Sequence, residues 1–309
     1  MERSSGLTQP IIQINMLLVL AAVLAGFIVV GPLIGILIAL PFYEGSIVEF
    51  MSALSDPIGN PAIKVPFYIV QGCSTLFGLI IVPTLLIAAK QQPLKKLLSL
   101  PSTQLSPYMI VVFATIAFML VNSPFIEWNA NLVFPEFMKG FEEWAKGREE
   151  YAGQVTTFLT TFSNKGELML ALFVIAVLPA IGEELVFRGL LQPQLHKHMG
   201  NIHIAIWVSA ILFSAMHMQF YGFVPRVLLG ALFGYLYYWS GNLWIAILAH
   251  FVNNGFSVVM LYLYQQKMSE LDMNSTESAP WPVVVGATVI SFALLYIFKK
   301  QVSTTTTPA

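Results

Sequence analysis

Apolar runs of about 20 residues alternate with short polar connections along most of the chain, the pattern of helices that cross a bilayer. Eight runs can be marked off: Ile12–Leu40, Val65–Ala89, Tyr108–Pro124, Leu168–Leu191, Ile204–Phe223, Val224–Trp239, Leu243–Tyr264 and Pro282–Phe298. The third is short for a span, and the fifth and sixth are separated only by a turn between Gln219 and Pro225. Ahead of the fourth run, Phe134, Phe137, Met138, Phe141, Trp144 and Ala145 recur at helical spacing, with Lys139, Glu142, Glu143 and Lys146 between them. That spacing predicts an amphipathic helix near 134–150, lying on the membrane or capping the bundle. Gly230 and Gly234 form a small-xxx-small pair, a sign of close helix packing. The expected fold is all-α, a polytopic transmembrane helical bundle of about eight spans. It divides into N-terminal helices (1–122), an extramembrane loop (123–167), a transmembrane core (168–264), and a last part (265–309) with a polar loop, one more span and a tail expected to be disordered.

Composition agrees with that picture. The 309 residues are 57% hydrophobic and 10% charged, against roughly 25% charged in soluble domains. A net charge of −1 gives no electrostatic footprint for nucleic acid. The single cysteine, Cys73, cannot form an internal disulfide and reads as a small core residue. The first apolar run far exceeds the ~7–15 residues of a signal-peptide core, so it reads as a retained helix. Lys90, Lys95, Lys96, Lys197, Lys299 and Lys300 fall on one side of the spans. Glu44, Glu49, Asp56, Glu270, Asp272 and Glu277 fall on the other. Basic residues concentrate in the cytoplasm, so both termini are expected inside. Lys139, Lys146, Arg148 and Lys165 break the pattern within a long, acidic loop.

Polar groups inside the apolar runs carry the candidate chemistry. Glu183 and Glu184 stand side by side in Ala180-Ile-Gly-Glu-Glu-Leu-Val-Phe-Arg, where an ionised group costs about 2.5–3.5 kcal/mol on insertion scales. Arg188 follows Glu184 by four residues and so shares its helix face. Glu183 has no cation within sequence range, and an unpaired carboxylate in such a helix is a candidate for function. His217 and His250 also fall in apolar runs, His250 four residues before Asn254 and His217 four after Phe213. A carboxylate, two imidazoles and an amide facing one interior suffice to activate water and stabilise an oxyanion. His196, His198 and His203 cluster with Lys197 at a loop and read as solvated.

Glu183-Glu184-x-x-x-Arg188, Phe213-x-x-x-His217 and His250-x-x-x-Asn254 resemble, in order, the three motifs of the CAAX-protease and bacteriocin-processing family (CPBP, or Abi). The resemblance covers about Leu168 to Gly255. It implies an intramembrane endopeptidase, in a prokaryotic member held in the bacterial inner membrane. Its substrate would be a membrane peptide or lipidated protein, including the prenylated CAAX type. By the same resemblance Glu183 activates the attacking water, His217 positions it, His250 and Asn254 face the oxyanion, and Glu184 and Arg188 support the site. No cofactor is expected. Zinc on Glu183, His217 and His250 is the alternative, since the ligand types suit it, but no His-Glu-x-x-His fixes two ligands on one helix. A proton-coupled carrier and a catalytically silent immunity or scaffold protein are the other readings. One tension remains within the pattern: straight spans would leave Glu183 and His217 offset by about 10 Å along the bilayer normal, at 1.5 Å per residue. A longer fourth helix, a later fifth helix or tilt would remove it.

Overall fold

The computed structural model describes residues 15–89, 97 and 105–304. The start of the first apolar run, the cluster Lys90, Lys95 and Lys96, and tail residues 305–309 lie outside the described residues. Ten helical runs follow one another, and there is no strand among the described residues. They are α1 (Met16–Phe42), α2 (Ile47–Ser55), α3 (Pro61–Ala89), α4 (Ser106–Ala130), α5 (Lys139–Thr160), α6 (Lys165–Met199), α7 (Ile202–Ala215), α8 (Phe223–Ser240), α9 (Leu243–Gln265) and α10 (Trp281–Thr304). Six of them, α1, α3, α4, α6, α9 and α10, are long and apolar enough to cross a membrane. The outer surface is correspondingly greasy, with Leu37, Phe113, Phe173 and Phe292 more than half exposed. A surface of this kind is stable against lipid chains, not water. The chain is an integral membrane protein.

Three boundaries differ from the sequence pattern, each for a local reason. The third run is not short: α4 continues through Pro124 to Ala130. Proline removes the N–H that would reach the carbonyl of Leu120, and the Ser123 hydroxyl donates to that carbonyl instead, at 2.8 Å. The fourth helix is longer than expected, 35 residues to Met199, and contains two wide π turns, Leu172–Val177 and Leu185–Leu191. The fifth stops at Ala215, where Met218 turns left-handed (φ 55°), so His217 sits in a turn and not inside a helix. The long α6 is what removes the offset between Glu183 and His217; α7 begins slightly earlier than Ile204, not later.

Small residues let the helices approach. A Cβ on Gly31 of α1 would lie 2.5 Å from Ser74 Cα of α3, and one on Gly182 of α6 would lie 2.6 Å from Leu79 Cβ. At the α7–α8 seam, a Cβ on Gly230 would fall 3.1 Å from Ala210 Cβ, and one on Gly234 would fall 2.9 Å from Ile206 Cγ2. The packing expected of that glycine pair is present. The amphipathic helix is also present, as a short turn at Glu136–Met138 and then α5, which runs ten residues beyond the expected end. Phe134 and Phe141 pack on Phe220, with ring centroids 5.0 and 5.5 Å apart. The helix therefore caps the bundle over the turn that carries His217.

Candidate active site

Two neighbouring carboxylates on α6 end in different environments. Glu184 is fully buried and its Oε1 accepts from Arg188 Nη1 at 2.9 Å and from His250 Nδ1 at 2.8 Å. Arg188, also fully buried, donates through Nη2 to the Gly230 carbonyl at 2.8 Å. Its guanidinium carbon lies 4.6 Å from the centre of the Phe213 ring. One turn on, Gln192 repeats the arrangement, donating to the Gly234 carbonyl at 3.2 Å. The absence of a glycine side chain at 230 and 234 exposes these carbonyls to α6. The pairing of Glu184 with Arg188 follows the helical spacing, and His250 is the partner that spacing could not supply.

Glu183, on the adjacent face, turns toward a cavity of about 890 Å³. His217, Arg226, His250, Asn253 and Asn254 share that cavity with it. Glu183 Oε2 is buried without a hydrogen-bond partner among the described residues, and lies 3.9 Å from His250 Nε2. Because His250 gives its Nδ1 proton to Glu184, its Nε2 is the atom left for chemistry. Asn254 Nδ2 lies 3.3 Å from that nitrogen and donates to the Ile175 carbonyl at 3.1 Å. Ile175 belongs to the first π turn of α6, and π turns recur at functional sites. Asn253 Nδ2 donates to Asn254 Oδ1 at 3.0 Å, which fixes the Asn254 amide with its nitrogen toward His250. The His250 ring stacks on Phe233, with centroids 5.2 Å apart at 18°. The ring of His217 is oriented by the Phe213 carbonyl, 2.9 Å from its Nδ1, which leaves its Nε2 free.

All four residues expected to be catalytic thus line one cavity, and the two expected to be supporting lie behind it. Arg226 was missed. It lies on another helix, within electrostatic reach of Glu183 but not ion-paired with it. The signal was available, since a charge inside the apolar run Val224–Trp239 needs an explanation of its own. Also missed were the rest of the walls: α4 closes one side with Ile116, Met119 and Ile126, and the loop between α9 and α10 roofs the cavity with Glu270, Asp272 and Glu277.

The donors do not fit a zinc ion. Among the described residues no group of three His, Cys, Asp or Glu side chains could hold a metal. Each histidine is oriented through its Nδ1, by Glu184 for His250 and by the Phe213 carbonyl for His217, and keeps its Nε2 toward the cavity.

Residues 165–256 match the family described as type II CAAX prenyl endopeptidase Rce1-like. This segment is Rce1-like. It begins and ends within a few residues of Leu168 and Gly255, the extent of the motif resemblance, and it contains Glu183, Glu184, Arg188, His217, Arg226, His250 and Asn254. Two proteins of Bacillus subtilis (strain 168) are similar to parts of the chain. An uncharacterized protein, YpbD, is 32% identical over 82 residues, which are 25% of this chain and 39% of YpbD. The sporulation-killing factor biosynthesis protein SkfC is 31% identical over 122 residues, 37% of this chain and 23% of SkfC. The chain thus spans less than half the length of either relative. No solved structure gives a significant match. The wall on α4, the cap α5 and the roof all lie outside the Rce1-like segment.

Proposed function

We propose that this chain is an intramembrane endopeptidase, hydrolysing a peptide bond of a membrane-associated substrate, with prenylated CAAX-type chains among the candidates. The observation that carries the reading is the convergence of Glu183, His217, His250 and Asn254 on one cavity inside an apolar bundle. A carrier would need charged groups along a path across the membrane; here they meet at a pocket with a roof.

Glu183 is the general base. Its unpartnered Oε2 faces the cavity and accepts a proton from water, with His217 Nε2 holding that water from the other side. The scissile carbonyl then points toward His250 Nε2 and Asn254 Nδ2. At rest these two nitrogens face each other, so His250 Nε2 accepts from the amide. The Asn254 amide is the donor placed for the oxyanion, and His250, held through Nδ1 by Glu184, keeps that amide in position. Glu183 finally delivers its proton to the leaving amine. Arg188 holds Glu184, and through it the histidine, in register. No metal takes part in this scheme. The protein sits in a bacterial inner membrane with both termini in the cytoplasm, a reading supported by the lysines on that side.

The test is cleavage of lipidated and unmodified membrane peptides by the purified wild type, Glu183→Ala and His217→Ala, each with and without chelator. Loss of cleavage in both variants with folding retained is the expected result. Wild-type cleavage that survives both substitutions refutes the site, and loss on chelation restored by zinc refutes the metal-free scheme.

A further inference from the structure

Resting on the endopeptidase reading, we infer that Arg226 is a specificity-determining residue that docks a carboxylate of the substrate. The cavity is bordered by several acidic groups, and among the described residues Arg226 is the only lysine or arginine lining it. The two arginines of this interior are used differently. Arg188 is sealed behind the site, ion-paired with Glu184 and bonded to the Gly230 carbonyl. Arg226 faces the cavity and bonds only to the neutral Gln219, through Nη2 to Oε1 at 3.0 Å and through Nη1 to the carbonyl at 3.4 Å. Among the described residues, no carboxylate lies within 4.0 Å of it. Glu149 and Glu183 act on it from farther away. A guanidinium has five donors, so most of its fork is available.

Its position is also fixed in advance. The guanidinium lies against the backbone of Gly222, where a Cβ would come within 2.5 Å of Nη2. Gln219 is in turn held by Glu149 of α5, Nε2 to Oε1 at 3.3 Å. A cation kept in an apolar bundle, oriented and without an ion-pair partner, is suited to a planar anion that arrives with the ligand. Two sources share that chemistry: the C-terminal carboxylate of the substrate chain, and an acidic side chain near the cut.

Binding to the full-length Glu183→Gln protein separates these sources. The probes are a dansylated, acylated peptide with a free C-terminus, its C-terminal amide, and the amide with a glutamate next to last. Fluorescence anisotropy should show the free acid or the glutamate peptide binding at least about tenfold more tightly than the plain amide, the scale of charge-assisted bidentate bonds. Whichever of the two is preferred names the source. Arg226→Gln should erase the preference, weakening acid binding far more than amide binding, and Arg226→Lys should retain part of it. If Arg226→Gln does not fold, Gly222→Ala, which displaces the guanidinium, should weaken the same preference. Equal binding of all three probes, no binding of any, or an equal loss for acid and amide in Arg226→Gln overturns the inference. The endopeptidase reading fails separately, if wild-type protein binds the acid peptide and cleaves none of the three.

Discussion

Replacing Arg188 with Met removes the cation from a fully buried cluster and leaves the Glu184 carboxylate with His250 as its one hydrogen-bond partner. Breaking a buried ion pair from one side costs about 3–5 kcal/mol. The His250 bond to Glu184 at 2.8 Å remains, so the lower end, about 3 kcal/mol, is expected. Glu184→Gln strands the guanidinium instead, but the Gly230 carbonyl and the Phe213 ring at 4.6 Å remain, giving about 2–3 kcal/mol. The double variant Glu184→Gln/Arg188→Met has no buried charge left at this point and should lose only about 1–2 kcal/mol, mostly packing around the shorter side chain. SDS titration in mixed micelles, followed by fluorescence of the 6 tryptophans, measures all three. Costs that simply add would refute the claim that Glu184 and Arg188 stabilise each other, as would a single-variant loss below about 1 kcal/mol.

Other consequences are open to measurement. Glu183→Gln should lower the cleavage rate about 10²–10⁴-fold while keeping or raising thermal stability, because it removes a buried, unpartnered charge; a fall in stability would reassign Glu183 to structure. Gly182→Val places a branched side chain against Leu79 Cβ, where a Cβ alone comes within 2.6 Å, and should cost about 1–3 kcal/mol in the same SDS titration; Gly153→Ala, in the exposed interior of α5 with nothing within 4 Å, should instead gain about 0.5–1 kcal/mol. Burial holds the half-buried Glu149 carboxyl above its ordinary range, against the pull of Arg226. A raised carboxyl contributes its full stabilisation below the unfolded pKa, and that contribution is lost as pH rises through the folded value. Glu149→Gln should therefore raise the melting temperature at pH 7 and leave it unchanged near pH 3; an unchanged value at pH 7 would refute the shift.

Much of the site was legible because its parts are charged or polar within apolar runs, where any such residue must be explained. Helical spacing joined Glu184 to Arg188 and His250 to Asn254. It could not join Glu184 to His250, which are 66 positions apart, nor bring Arg226 toward Glu183, since a pairing across helices leaves no periodic trace. The helix ends were read less well, for two opposite reasons. Pro124 looked like a stop, yet a neighbouring serine satisfies the carbonyl it orphans. The chain after Ala215 looked like a continuing helix, yet Met218 turns left-handed in a sequence with no glycine or proline at that point. The cavity's outer parts were not legible as such, because the roof carries only the composition of a surface loop.

The turn bearing His217 is clasped by groups from outside the Rce1-like segment: Asn129 donates to the Phe220 carbonyl at 3.1 Å and accepts from the Val224 amide at 2.8 Å, and Glu149 holds Gln219. The motif set and the fastening of one of its members therefore lie in different parts of the chain. A lineage can keep all three motifs and still lose or retune activity by altering a helix that carries none of them. Grafting residues 165–256 onto foreign flanking helices would transplant the letters of the active site without the clasp that makes His217 part of it.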